Sequence, residues 1–137
     1  MKLALDTNVL IAAFIAHRTC YDVLEHSIRQ HELIASTLIF DEVRSTLLKN
    51  FHYTRQETTD VITLLKAGIV AVDPHPLKTS ICRDPDDDII LATAITGACQ
   101  CIVTGDHDLL EFTTYQGIDI LLPNAYWRYE QESGSLS

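Results

Sequence analysis

The chain has 137 residues, of which 47% are hydrophobic, and this length favours a single domain, expected at residues 1–131, followed by a flexible polar tail at 132–137. No run of about 18 apolar residues occurs, so no membrane association is expected and the cytoplasm is the expected location. The formal charge of −9 argues against a protein that binds nucleic acid through a generally basic surface.

Apolar patterns predict strands and helices that alternate along the chain. Five short strands are expected at 2–5, 31–35, 69–72, 101–104 and 118–122. Helices are expected at 9–16, 20–30, 37–50, 54–68 and 84–97, with shorter helical segments after 109 and 123. Thr37 is expected to cap the third helix, and Thr54 with Glu57 predicts a capping box. Strands separated by helices favour an α/β fold with a parallel sheet of four to five strands, covered on both faces.

The most unusual stretch is 84–88, in which four aspartates precede an apolar helix. Asp84 followed by Pro85 predicts the helix start, and Gly97 predicts its end. In this phase, Asp88 lies three, four and seven residues before three apolar positions that must be buried, namely Leu91, Ala92 and Ile95. Acids also favour a helix N-terminus for electrostatic reasons alone. A carboxylate on a buried face, however, is costly unless a cation or hydrogen-bond donors satisfy it.

Other acids follow the remaining strands at the edge where parallel carboxyl ends meet. Asp6 ends the first strand, Glu42 borders the buried stripe of the helix after the second, Asp88 follows the third and Asp106 ends the fourth. Asp6 and Asp106 could each be simple helix caps. Four acids at one edge would repel one another, and a bound cation explains all four together.

Carboxylates without neighbouring His or Cys favour a hard cation, Mg²⁺ or Mn²⁺, bound as one or two ions. The four cysteines lack zinc-ligand spacing and are interpreted as small buried apolar residues. A cation held by carboxylates can activate water for attack on phosphorus and neutralise charge on the phosphoryl group. The expected reaction is therefore phosphodiester hydrolysis by metal-activated water.

Four motifs carry a resemblance to a known family. They read LDTN at 5–8, FDEV at 40–43, RDPDDD at 83–88 and VTGDHDLL at 103–110. In this order they resemble the PIN-domain family over almost the whole chain, most nearly its branch of toxin components of toxin–antitoxin systems, related to the VapC ribonucleases. The resemblance implies a three-layer α/β/α sandwich, Mg²⁺- or Mn²⁺-dependent endoribonuclease activity, a homodimer and an antitoxin partner.

The resemblance also assigns roles to individual residues. Four acids would be the catalytic, metal-binding residues: Asp6, Glu42, Asp88 and Asp106. Three further acids would serve a second ion or its waters: Asp84, Asp87 and Asp108. Three polar residues would orient the carboxylates or metal-bound water: Thr7, Asn8 and Thr104.

An RNA substrate, whether single-stranded or structured, must be reconciled with the acidic charge. The protein would remain negative even with two divalent ions bound, so RNA would need a local basic rim. Four basic residues near the site motifs are candidates for it: Arg44, Lys49, Arg55 and Arg83. Each is equally compatible with an ordinary solvated charge.

Three alternative functions remain open. An aspartyl-phosphate phosphatase would need a second acid two residues after Asp6, where the sequence has Asn8. A phospho-accepting receiver module would need a lysine after the fifth strand, where 121–123 is Leu-Leu-Pro. A PIN fold kept only as a binding module has no distinguishing sequence feature, since its acids could hold metal without turnover.

Overall fold

The computed structural model describes residues 1–15 and 18–135. Its strands are β1 (Lys2–Leu5), β2 (Glu32–Ser36), β3 (Ile69–Val72), β4 (Cys101–Val103), β5 (Thr114–Tyr115) and β6 (Ile118–Leu121). Its helices are α1 (Thr7–Phe14), α2 (Arg18–Gln30), α3 (Thr37–Asn50), α4 (Arg55–Gly68), α5 (Pro85–Thr96), α6 (His107–Leu110) and α7 (Tyr126–Ser135), with a 3₁₀ turn at Pro123–Ala125. Within these ranges, no helix combines the length and apolar character that a membrane span requires.

The strands form one sheet in the order β3-β2-β1-β4-β6-β5. The pairings from β3 to β6 are parallel, and only the edge strand β5 pairs antiparallel. Leu3, Ala4 and Leu5 are consecutive in β1 and at most 1% exposed. Because consecutive strand residues point to opposite faces, both faces of the sheet are covered. The predicted α/β/α fold with a central parallel sheet is confirmed.

The edge strand β5 was not expected from the sequence. It is two residues long and turns into β6 through Gln116 and Gly117, whose φ angles are 49° and 80°. Positive φ at both central residues is typical of the tight turns that connect antiparallel strands. Two residues are too few for a period-2 pattern to be visible in the sequence.

Two chain segments differ from the sequence-based expectation at their ends. Helix α3 is capped by Ser36 rather than Thr37, since the Ser36 hydroxyl accepts a hydrogen bond from the Ile39 N–H at 3.3 Å. Residues 132–135, expected to begin a flexible tail, belong to α7. Positions 16, 136 and 137, which the sequence assigned to the end of the first helix and to the tail, lie outside the described residues.

The capping signals that define the acidic helix are present as predicted. The Asp84 carboxylate accepts a hydrogen bond from the Asp86 N–H at 2.9 Å, Pro85 occupies the first helical position and Gly97 follows the last. The capping box of α4, formed by Thr54 and Glu57, is also present. These local interactions fix where the acidic segment begins relative to the sheet.

The strand order reverses at β1, between the β2 side and the β4 side of the sheet. From β1 the chain proceeds outward to β2 and β3, then returns through α5 to β4 on the other side of β1. The Asp6 N–H donates to the Val103 carbonyl at 3.0 Å, so the residue after β1 is tied to the end of β4. Ligands of open parallel sheets bind at such a reversal point.

The packing of α5 on β2 depends on the small size of Gly97. A Cβ atom there would lie 2.6 Å from Ile34 Cγ2 and 3.3 Å from two further Ile34 atoms. Ile34 is β-branched and buried in β2, so its side chain has little freedom to move. We expect Gly97→Ala to lower the free energy of unfolding in urea by about 1–3 kcal/mol through overpacking.

The matched control is Gly105→Ala, because a Cβ atom at Gly105 meets nothing within 4 Å. Its free energy of unfolding should stay close to that of the wild type. Equal stability of the two variants would mean that α5 does not pack as closely on β2 as described.

Candidate functional site

Asp6 is a buried carboxylate at the carboxyl end of β1. Its side chain is held on both oxygens, since the Thr7 N–H donates to Oδ1 at 2.7 Å and the Thr104 hydroxyl donates to Oδ2 at 2.8 Å. Burial nevertheless raises the pKa of Asp6, and the charges of Asp106 and Asp84 raise it further. The two hydrogen bonds thus orient the Asp6 carboxylate, but they do not offset the effects of burial and of the neighbouring negative charges.

Thr104 connects Asp6 with Asp106. Its hydroxyl donates to Asp6 and accepts a hydrogen bond from the Asp106 N–H at 3.0 Å. Asp106 caps α6, with its Oδ2 accepting from the Leu109 N–H at 3.0 Å. A single fully buried hydroxyl therefore sets the relative position of the acids that follow β1 and β4.

Glu42 lies on α3 and faces the same group of acids. Its pKa is raised to about 7 by burial and by the charges of Asp86, Asp6 and Asp84, in that order of importance. The Thr7 hydroxyl partly offsets this shift through a hydrogen bond. Glu42 is thus close enough to the carboxylates of two other elements to be repelled by them.

Asp87 is the buried acid of helix α5. It is only 8% exposed and precedes three residues that are almost completely buried, Ile90, Leu91 and Ala94. Burial raises its pKa to about 7, together with the charges of Asp106 and Asp6 and a hydrogen bond with Asp106. The carboxylate oxygens of Asp87, Asp106 and Asp108 lie within 4.8 Å of one another.

The expected position of Asp88 is corrected by the structure. Its carboxylate is directed to the segment before α5, where it accepts from the Cys82 N–H at 2.8 Å and from the Ser80 hydroxyl and Ile81 N–H at 3.3 Å each. Although burial alone would raise the pKa of Asp88, these hydrogen bonds lower it. Asp88 therefore anchors the loop, and Asp87 takes the place in the acid group that the sequence analysis gave to Asp88.

The expectation that Asp88 would be the buried acid failed because two adjacent faces of α5 are equally apolar. The stripe of Asp87, Ile90, Leu91 and Ala94 and the stripe one residue later, which contains Asp88, are both apolar beyond their first member. Adjacent residues of a helix differ by about 100° in direction, so the choice between the stripes decides which acid is buried. The helix is apolar on nearly every side, and its sequence does not fix that choice.

The remaining residues predicted for the site have contacts of their own. Asp84 caps α5 and acts on Asp6 and Glu42 through its charge. Asp108 accepts a hydrogen bond from the Arg83 guanidinium at 2.7 Å. Asn8 is exposed and lines a cavity of about 400 Å³ together with Gly105 and other residues.

The predicted basic rim is only partly adjacent to the acids. Arg83 is bonded to Asp108, while Arg44, Lys49 and Arg55 are exposed. Arg44 is two residues beyond Glu42 and hence about 200° around α3 from it. Lys49 is seven residues beyond Glu42, on the same side of the helix and roughly 10 Å further along it.

The donor set of this group fits a hard divalent cation. Its potential ligands are carboxylate oxygens, which Mg²⁺ and Mn²⁺ prefer. The interactions that raise the pKa values of Asp6, Glu42 and Asp87 are burial and repulsion by other acids. Asp87, Asp106 and Asp108 would hold such an ion, with Asp6 held beside them by Thr104.

The raised pKa values predict how the stability of the metal-free protein depends on pH. Between about pH 4.5 and pH 7, Glu42 and Asp87 bind more protons in the folded state than in the unfolded chain. The contribution of these two groups to the free energy of unfolding therefore falls as the pH rises through this window. Denaturation at a series of pH values in a chelator measures this slope.

Glu42→Gln and Asp87→Asn should each make the slope less negative than in the wild type. Asp41→Asn provides the control, because Asp41 is exposed and adjacent to Glu42 on α3. Comparing each variant with the wild type removes the contribution of all groups that the substitution leaves unchanged. If both site variants kept the full wild-type slope, the repulsion among these acids would be refuted.

Comparisons with known proteins place this arrangement in a family. Residues 2–108 match a family model described as PIN domain. Among curated proteins, none matches the sequence. The structure of VapBC2 from Rickettsia felis, bound to a DNA fragment from their promoter, is similar with a TM-score of 0.63 and 14% identity, covering 88% of this chain and 97% of that chain.

A second similar structure is VapBC-1 from nontypeable Haemophilus influenzae. It has a TM-score of 0.64 and 15% identity, covering 90% of this chain and 99% of that chain. At such identities the likeness establishes a shared fold, while the family model matches most of the sequence itself. The chain belongs to the PIN-domain family.

Proposed function

We propose that the protein is a Mg²⁺- or Mn²⁺-dependent endoribonuclease and the toxin of a toxin–antitoxin pair. The observation that carries the proposal is the group of mutually repelling carboxylates at the carboxyl ends of β1 and β4. Carboxylate oxygens of Asp87, Asp106 and Asp108 lie within 4.8 Å of one another. Burial and the charges of neighbouring acids raise the pKa of Asp87 to about 7. Membership of the PIN-domain family supports a nuclease.

Each residue has a defined part in the proposed site. Asp87, Asp106 and Asp108 hold the divalent cation, and Asp6 completes the group through the bridging hydroxyl of Thr104. A bound divalent cation would supply activation of a water and neutralisation of charge on the phosphate. Thr104 and the Thr7 N–H keep the Asp6 carboxylate oriented, so that no reorganisation is needed when substrate arrives.

RNA is the proposed substrate, and its binding should be weak and sensitive to salt. The formal charge of −9 leaves little general attraction for a polyanion. Arg83, which is bonded to Asp108 and largely exposed, is the basic residue with a direct contact to the acids. Lys49, on the same side of α3 as Glu42, would extend a phosphate path away from the site.

An antitoxin protein is the proposed partner, and a homodimer is the proposed assembly. Both proposals draw on the four sequence motifs and on a fold shared with the VapBC structures. A bound antitoxin would block the carboxylate group and so suppress cleavage. These assignments extend the proposed activity and can fail independently of it.

Cleavage of labelled RNA by the purified protein tests the activity directly. We expect Mn²⁺-dependent cleavage that EDTA abolishes. Asp87→Asn preserves side-chain size but removes a charge from the group, and should slow cleavage by at least about 100-fold, as loss of one preorganised electrostatic group typically does. Asp41→Asn, with the same change in net charge at an exposed neighbour of Glu42, should cleave like the wild type.

The adjacent variant Asp88→Asn distinguishes the two assignments for α5. Because Asp88 binds the 80–82 segment, its loss should reduce activity less than loss of Asp87. Undiminished cleavage by Asp87→Asn together with loss in Asp88→Asn would return Asp88 to the metal site. Absence of cleavage by the wild type with either metal would favour a PIN fold that only binds.

Metal binding should also stabilise the folded protein. An ion that binds only the native state adds about 2.7 kcal/mol at a concentration 100 times its Kd. We expect Mn²⁺ to raise the Tm of the wild type and to have little effect on Asp106→Asn, in thermal unfolding followed by circular dichroism. A wild-type Tm that does not change at millimolar Mn²⁺ would contradict the metal site.

A further inference from the structure

A second group of potential metal ligands lies apart from the carboxylate cluster. His26 of α2, His31 between α2 and β2, and Glu130 of α7 have ligand atoms within 4.8 Å of one another. His26 Nε2 is 2.7 Å from Glu130 Oε1, and His31 Nε2 contacts the same oxygen. Two imidazole nitrogens and one carboxylate oxygen from three segments therefore converge on one point.

This group lies at the opposite edge of the sheet from the candidate nuclease site. His31 immediately precedes β2, whereas Asp6 immediately follows β1, and the two strands pair in parallel. Since Lys2 pairs with Glu32, His31 lies level with Met1, five residues before Asp6, and at roughly 3.3 Å per residue the two groups are about 16 Å apart along the strands. The two sets of side chains cannot share one ion.

Several contacts orient the three side chains toward each other. Tyr126 is completely buried and lies one turn before Glu130, to whose Oε1 its hydroxyl donates at 3.4 Å. The backbone N–H of His31 donates to the Ser27 carbonyl at 3.0 Å, which extends the hydrogen-bond pattern of α2 to His31. On its other nitrogen, Nδ1, His31 is 3.2 Å from the Met1 amino nitrogen.

The group remains accessible from solvent. The side chains of His26, His31 and Glu130 are 24%, 15% and 27% exposed. All three side chains are thus partly buried, and solvent reaches each of them. The Trp127 ring stands edge-on to the His26 ring at a centroid distance of 4.9 Å.

We propose that His26, His31 and Glu130 form a binding site for a transition-metal ion of the Zn²⁺ class. Two histidines and a glutamate are a donor set that Zn²⁺ adopts with three protein ligands and one open position. Imidazole donors select against Mg²⁺, so this site and the carboxylate cluster differ in metal preference. Zinc ligands at about 2.0–2.2 Å lie roughly 3.3–3.6 Å apart in a tetrahedron, so the 2.7 Å contact of His26 with Glu130 would lengthen by less than about 1 Å.

The ion would link α7 to the end of α2 and to the residue that precedes β2. Glu130 is 104 residues from His26 and 99 residues from His31 along the chain. Closing so long a loop through one ion stabilises the folded state when the ion does not bind the unfolded chain. The proposed ion would therefore add to the stability of the folded state, and this effect is independent of the nuclease activity.

Trp127 provides a local reporter because the sequence contains one tryptophan. We expect Co²⁺, added to chelator-treated full-length protein as a probe for Zn²⁺, to quench Trp127 fluorescence saturably with one ion per chain. His31→Gln keeps an N–H donor near Glu130 but removes a ligand. It should weaken Co²⁺ binding by more than the roughly 10- to 100-fold that loss of an outer partner of a ligand costs.

His75→Gln is the matched control, since His75 is exposed in the connection between β3 and α5. It should bind Co²⁺ like the wild type. Asp87→Asn should also retain the quenching, because it alters the carboxylate cluster only. Conversely, the Tm increase produced by Mn²⁺ should survive in His31→Gln.

Circular dichroism establishes whether His31→Gln is folded, and Glu130→Gln is the second variant if it is not. Non-saturable quenching of the wild type would overturn the proposal. Equal affinity of a folded ligand variant and the wild type would do the same. In either case His26, His31 and Glu130 form a hydrogen-bonded group that does not bind a metal ion.

Discussion

Repulsion among carboxylates that the fold holds together is the constraint on which the candidate site depends. Asp6 is buried at the end of β1, and Asp106 and Asp84 raise its pKa in addition to the effect of burial. The ionised form of each of these acids would have a lower free energy if the carboxylates were separated and exposed to water. The core around β1 and β4 offsets this cost, because strand residues such as Leu3 and Ile102 are completely buried and hold the chain in place.

The topology explains why residues so distant in sequence meet. Reversal of the strand order at β1 places the carboxyl ends of β1 and β4 side by side at one edge of the sheet. Helix α5 connects β3 to β4 and begins at the same edge, which brings Asp87 to Asp106. Since the Thr104 hydroxyl bonds both Asp6 and the Asp106 N–H, the site is organised by the sheet itself rather than by flexible loops.

The sequence is sufficient where a local signal defines an element. The Thr54 and Glu57 box, the Asp84-Pro85 start and the alternation of the longer strands and helices were predicted, because each depends on residues close together in the chain. It is insufficient where position depends on packing. Strand β5 is too short to show a period-2 pattern, and the position of α7 depends on contacts between residues far apart in the chain, such as that of Glu130 with His26 and His31.

The same distinction applies to the candidate sites. Asp6 and Asp106 follow predicted strands, so the sequence points to them directly. The group of His26, His31 and Glu130 was not found from the sequence, because Glu130 lies 104 and 99 residues from the two histidines and the three residues follow no motif. Only the docking of α7, fixed by the buried Tyr126 ring, brings Glu130 to the histidines.

Asp87 and Asp88 show how two identical neighbours acquire opposite properties. Hydrogen bonds from the 80–82 segment satisfy Asp88 and lower its pKa, whereas burial beside Asp106 and Asp6 raises the pKa of Asp87. A carboxylate that already accepts three hydrogen bonds gains little from a cation, while one that is repelled by other acids gains much. Since Asp88 also holds the segment that leads into the Asp84 cap, it stabilises the helix start from which Asp87 projects. One turn of α5 thus contains both the acid that lies among other carboxylates and the acid that holds the start of the helix in position.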